Sequence, residues 1–150
     1  YHSARNLYTA RVNFKEVLKS SVAGRELVRA IGYVIRTETG EEKLFLEALG
    51  KIGIETRIKD LQIFPGGMKK ADWDVGLTID AVRLSETMID TVVIVSGDGD
   101  FIPLVEYLKA KGIQVEVLSF ARSTSSKLKE AADDFTDLGS DPKKFLLKVR

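Results

Sequence analysis

Two carboxylates two positions apart, Asp98 and Asp100, sit in Ser96-Gly97-Asp98-Gly99-Asp100-Phe101, directly after an apolar run. The flanking glycines let the backbone turn tightly, so both acids can face one hard cation. Asp100 also suits the N-cap of the helix that follows, with Pro103 tolerated in its first turn, whereas Asp98 has no comparable structural use. A second acidic group lies in Lys69-Lys70-Ala71-Asp72-Trp73-Asp74-Val75. A cap or dipole partner accounts for Asp72 and less well for Asp74. Lys69 and Lys70 read as solvated charges that, beside carboxylates, could also contact phosphate. Asp80 falls about 120° round the helix from Asp74, so its role stays open. In Arg122-Ser-Thr-Ser-Ser-Lys127 the hydroxyls suit the cap of a helix starting near Ser125, with a backbone-phosphate contact as the alternative. Trp73 and Phe101 flank the acids, and core packing fits both better than stacking on a base.

The residue inventory narrows the chemistry further. There are no cysteines, which removes disulfides, thiol nucleophiles and thiolate metal sites, and suits a reducing cytoplasm. His2 alone cannot build His-based metal sites or a Ser-His-Asp arrangement. What remains is carboxylates, hydroxyls, Lys and Arg.

These groups need a scaffold, and 150 residues at 16.6 kDa fit one domain with an adequate core. Hydrophobic residues make up 44% and charged residues 30%, an ordinary globular balance that excludes a disordered tail or a fibre. Twenty-three basic against 22 acidic side chains neither require nor forbid a polyanionic partner. No apolar run reaches a membrane span, and no secretory signal opens the chain, so a soluble, cytoplasmic protein is expected. Short β-branched runs alternate with amphipathic helices, the pattern of a parallel α/β sheet. The strands expected are Leu27 to Ile35, Ile54 to Ile63, Thr91 to Ser96 and Val115 to Ser119. The helices are Glu41 to Lys51, Asp72 to Leu84, Phe101 to Lys111 and Ser125 to Ala132. The uninterrupted apolar run from Thr91 predicts a central strand. Ligands of such sheets bind beyond the carboxyl ends of the strands, which is where Asp98 and Asp100 fall. Tyr1 to Leu18 carries a helical pattern (Leu7, Val12, Val17, Leu18) without an opening strand. Asp141 to Arg150, with four basic side chains and one acidic, reads as a basic appendage or a solvated final helix.

Three segments together resemble a known family. Lys70-Ala-Asp-Trp-Asp-Val-Gly-Leu-Thr-Ile-Asp80, Val92-Val-Ile-Val-Ser-Gly-Asp-Gly-Asp-Phe-Ile-Pro-Leu-Val105 and Ala131-Ala-Asp-Asp-Phe135 are similar to the NYN domain of the LabA-like group, in the PIN-like nuclease superfamily. The likeness runs from about Asn6 to Leu138, giving a domain over residues 1–138 and an appendage over 139–150. It implies a three-layer α/β/α sandwich with a mainly parallel central sheet. It further implies an acidic cluster that binds Mg2+ or Mn2+ and cleaves RNA. Asp74 matches the acid after the lysine, Asp98 and Asp100 match the pair after the fourth strand, and Asn6 matches the asparagine after the first strand. Ser3 stands where the family has an aspartate, so either the first strand with its acid precedes residue 1 or the chain has lost that ligand.

The expected chemistry is metal-assisted phosphodiester hydrolysis of RNA, with single-stranded RNA as the expected partner. Asp74, Asp98 and Asp100 would hold the cation, Asn6 would orient a ligand or phosphate, and Ser96, Lys70 and Arg122 would hold the RNA. A rival reading keeps the fold as an inactive module that binds RNA, a protein partner or a second copy. An aspartyl-phosphate phosphatase would need a nucleophilic acid after a first strand, and the Asp98 motif supplies only the metal-binding half. Common ligation predicts that the three carboxylates converge to within roughly 4–5 Å.

Overall fold

A computed structural model describes residues 10–37, 42–67, 69–70 and 72–148. They form two compact units: the described residues up to Arg25 with those from Thr78 onward, and Glu26–Leu77 between them.

The first unit opens with β1 (Ala10–Val12) and α1 (Phe14–Val22). Asn13 caps α1 by accepting from the Glu16 amide at 3.3 Å, and the helix stops at Ala23, whose φ of 51° is left-handed. Val12, expected on a helix, therefore lies in a strand, while Val17 keeps its helical face and is buried.

The second unit is built on β2 (Ile31–Arg36) and β3 (Glu55–Asp60), a parallel pair running in register from Ile31 opposite Glu55 to Arg36 opposite Asp60. The crossover helix α2 (Lys43–Lys51) buries Leu49. Arg29 pairs with Glu55 and Arg36 with Asp60 at opposite ends of this ladder. The single strand expected over Ile54 to Ile63 breaks at Leu61. Beyond it, β4 (Gln62–Ile63) turns back on β5 (Lys69–Lys70) as an antiparallel hairpin. The glycines of Pro65-Gly66-Gly67 make that reversal possible, with φ of 95° and 85°. Helix α3 (Asp74–Ser85) starts in this unit and continues without a break into the first.

Back in the first unit, β6 (Thr91–Ile94), β7 (Gln114–Ser119) and β8 (Asp134–Asp137) form a parallel sheet in the order β6-β7-β8. The middle place in this described sheet belongs to β7, not to the run from Thr91 that composition singled out. Its Val115 and Val117 are wholly buried, which an apolar run interrupted by Glu116 disguises. Between the strands run α4 (Ile102–Ala110) and α5 (Ser126–Ala131), with Leu104, Val105, Leu108 and Leu128 turned inward. The chain ends in α6 (Pro142–Phe145) and β9 (Leu146–Lys148), which pairs antiparallel with β1. Phe145 joins Val12, Val17, Leu118, Phe120 and Leu138 in one apolar cluster. The whole is a mixed α/β fold with parallel sheets and helices. No described helix is long and apolar enough to cross a membrane.

Candidate metal centre

The turn after β6 is shaped by its own side chains. Ser96 accepts at Oγ from the Asp98 amide (3.2 Å), and Asp98 Oδ1 accepts from the Asp100 amide (2.9 Å). Asp98 thus caps the short 3-10 turn Gly99–Phe101 that leads into α4, with Pro103 in the first turn of that helix. Capping was expected of Asp100. The amide that needs an acceptor belongs to Asp100 itself, so the residue two positions earlier supplies it. Phe101 is buried and anchors the turn from below, in keeping with core packing.

The turn is clamped from the side by the segment after β7. The Ser125 amide donates to the Gly97 carbonyl at 3.0 Å. A Cβ on Gly97 would lie 2.8 Å from Thr124 Oγ1 and 2.9 Å from both Ser119 Oγ and the Ser123 carbonyl oxygen. One on Gly99 would lie 3.1 Å from Ser125 Oγ. Gly97 is required by close approach, not by φ, and Gly99 is packed tightly against Ser125. Ser125 also caps α5, accepting from the Leu128 amide, as its place in the sequence predicted. Thr124 and Ser119 were missed because a clamp across two loops leaves no local pattern.

Asp74 is the first residue of α3, and its amide donates to Asp72 Oδ1 at 2.6 Å, the capping role expected of Asp72. Trp73 is held by its surroundings: its indole N–H donates to the Val34 carbonyl at 3.0 Å, and its ring lies 5.4 Å from that of Tyr33.

One carboxylate oxygen from each of Asp74, Asp98 and Asp100 lies within 4.8 Å of the other two. Asp98 and Asp100 are exposed and Asp74 is half-buried. Asp80, half-buried further along α3, is not one of the three. Arg122 is exposed in the 3-10 turn Ala121–Ser123. Asn6 and Ser3 lie outside the described residues, and Lys70 is placed only as a member of β5. All-oxygen donors at this spacing fit a hard divalent cation, because metal-oxygen distances of about 2.0–2.6 Å bring neighbouring ligand oxygens within roughly 3–5 Å.

The segments that bear these acids are part of a longer match: the sequence pattern of the NYN domain covers residues 2–139. The chain belongs to the NYN domain family, within the PIN-like nuclease superfamily. It is similar to the low amplitude and bright protein LabA of Synechococcus elongatus, 31% identical over 130 residues that cover 83% of this chain and 69% of LabA. It is also similar to a protein of unknown function from Vibrio parahaemolyticus known from a crystal structure. That likeness has 32% identity and a TM-score of 0.87, covering 98% of this chain and 89% of the other.

Proposed function

We propose that this protein is an endoribonuclease that hydrolyses single-stranded RNA with Mg2+ or Mn2+ held by Asp74, Asp98 and Asp100. The observation that carries the reading is the convergence of those three carboxylates. Three negative charges so close repel one another, and a shared divalent cation offsets that repulsion. Family membership adds weight, since NYN domains bind RNA and NYN nuclease domains are typically divalent-metal dependent. When bound, the cation would activate water and neutralise charge building on the scissile phosphate.

The chain's own residues do the positioning. Asp98 commits Oδ1 to the Asp100 amide, which leaves its other oxygen for the cation and fixes its direction. Ser96 holds the Asp98 backbone through its hydroxyl and borders the place where a phosphate would sit. Arg122 projects from the turn next to the Thr124 clamp and supplies a cation for the RNA backbone. Asn6 is assigned to orient a ligand or the phosphate, and Lys70 to contact the RNA backbone. With this reading go the three-layer α/β/α arrangement and a cytoplasmic location.

The test is cleavage of single-stranded RNA with and without Mn2+, beside an Asp98→Asn/Asp100→Asn control. Metal-dependent cutting that the control lacks supports the nuclease. Tight RNA binding without cutting at any Mg2+ or Mn2+ concentration refutes it and leaves a binding module.

A further inference from the structure

The metal reading explains Asp74 but not the residues that decide where Asp74 points. Asp74 opens α3, so its carboxylate goes where the helix head goes. Five contacts hold that head, and Trp73 takes part in four of them. The indole N–H is tied to the Val34 carbonyl near the carboxyl end of β2. One ring neighbour is Tyr33, tilted by 57°. Lys59 of β3 places its ammonium 4.5 Å from the centroid of the same ring and donates to the Asp72 carbonyl at 2.8 Å. The Leu77 amide donates to the Trp73 carbonyl at 2.8 Å, which begins the helical bonding.

Gly76 makes this arrangement possible. A Cβ there would lie 2.6 Å from Trp73 Cε3 and 2.9 Å from Cζ3, closer than real carbon contacts allow. Gly76 has no positive φ, so backbone conformation does not require a glycine. Glycine in the first turns of a helix weakens it relative to alanine. The residue is therefore accounted for by the ring: the indole folds back over the first turn of α3, and only glycine leaves room for it.

We infer that Trp73, seated against Gly76 and tied to Val34, is a positioning residue for Asp74, aiming its carboxylate at the cation. The inference rests on the metal reading above and adds a residue that touches neither cation nor RNA. Outer groups that orient metal ligands typically change affinity by about 10–100-fold when lost.

Mn2+ binding to the full chain, read by the electron paramagnetic resonance of free Mn2+, tests this without any activity measurement. Trp73 is the only tryptophan in the sequence, so its emission reports the ring directly. Wild type is expected to bind Mn2+, and Asp98→Asn/Asp100→Asn to lose binding. Gly76→Ala is expected to shift the emission and weaken binding about tenfold with an unchanged far-ultraviolet circular dichroism spectrum. In a Trp73→Leu background the same Gly76→Ala step should change affinity less than about twofold, because no ring remains to be displaced. An equal loss in both backgrounds, or a shifted emission with unchanged affinity, overturns the inference and leaves the metal reading standing. No Mn2+ binding in wild type overturns the metal reading itself and this inference with it. If Gly76→Ala fails to fold, Trp73→Phe replaces it: the indole donor to Val34 is gone, weaker binding supports the inference, and unchanged affinity overturns it.

Discussion

Asp98 does two jobs that substitution can separate. Its Oδ1 accepts the Asp100 amide, and its charge contributes to the cluster of three acids. Asp98→Asn keeps an acceptor oxygen in the capping place and removes only the charge. With the carboxylate oxygens no more than 4.8 Å apart, each repelling pair costs about 1 kcal/mol or a little more in water, and less once salt screens it. Without divalent cation, Asp98→Asn should therefore melt at the wild-type temperature or slightly above it. Asp98→Ala loses the cap as well, which costs about 1 kcal/mol and lowers the melting temperature by about 2–4 °C in a chain of this size. Adding Mn2+ at about a hundred times its dissociation constant stabilises wild type by about 2.7 kcal/mol, or roughly 5–10 °C. Both variants should lose most of that shift. Thermal unfolding with Mn2+ and with chelator reads all of these numbers. An Asp98→Asn protein that keeps the full Mn2+ shift would refute ligation by Asp98, and equal melting of the two variants would refute the cap.

Glu116 receives two hydrogen bonds from Arg25 and one from Gln114, and the Arg25 bond holds its carboxyl below the ordinary glutamate value. The stabilisation is therefore complete above the ordinary glutamate value of 4.5 and disappears as pH falls through the lower folded value. Glu116→Gln should flatten the acid limb of a urea-unfolding profile while costing less than about 1 kcal/mol at neutral pH, since Arg25 is substantially exposed. Leu128 is fully buried on α5, so Leu128→Ala should cost about 2–5 kcal/mol in urea unfolding, and a loss below about 1 kcal/mol would mean the core closes over the gap. Gly97→Ala drives a methyl group into Thr124, Ser119 and the Ser123 carbonyl. It should abolish Mn2+ binding although every acid is retained, and undiminished binding would show that the clamp yields freely.

Local signals in the sequence carried much of this structure. The acid pair after an apolar strand, the cap at Ser125 and the helix from the Asp72 region could all be read because each depends on residues within a few positions. What stayed hidden depends on partners far along the chain. Val12 follows a helical period with Val17 yet pairs as a strand with Leu146, because that pairing is set by a segment at the opposite end. Glu116 interrupts the apolar pattern of β7, yet Arg25 of a distant loop satisfies it and the strand lies between β6 and β8 in the described sheet. That Asp98 and Asp100 belong to one acidic cluster was legible. Which of them caps the turn was not, since that is decided by which amide lacks an acceptor. The Gly76 requirement was invisible, because a glycine inside a helix gives no hint of the ring folded over it.

The pairing of β1 with β9 has a consequence for synthesis on the ribosome. Val12 and Val17 belong to an apolar cluster that also needs Phe145, roughly 130 residues downstream. At about 5–20 residues per second, the first strand and helix wait on the order of ten seconds for the chain that covers them. During that interval the middle unit, Glu26–Leu77, emerges with all its own strands. The nascent protein therefore exposes the apolar face of α1 until Phe145 and β9 arrive to cover it.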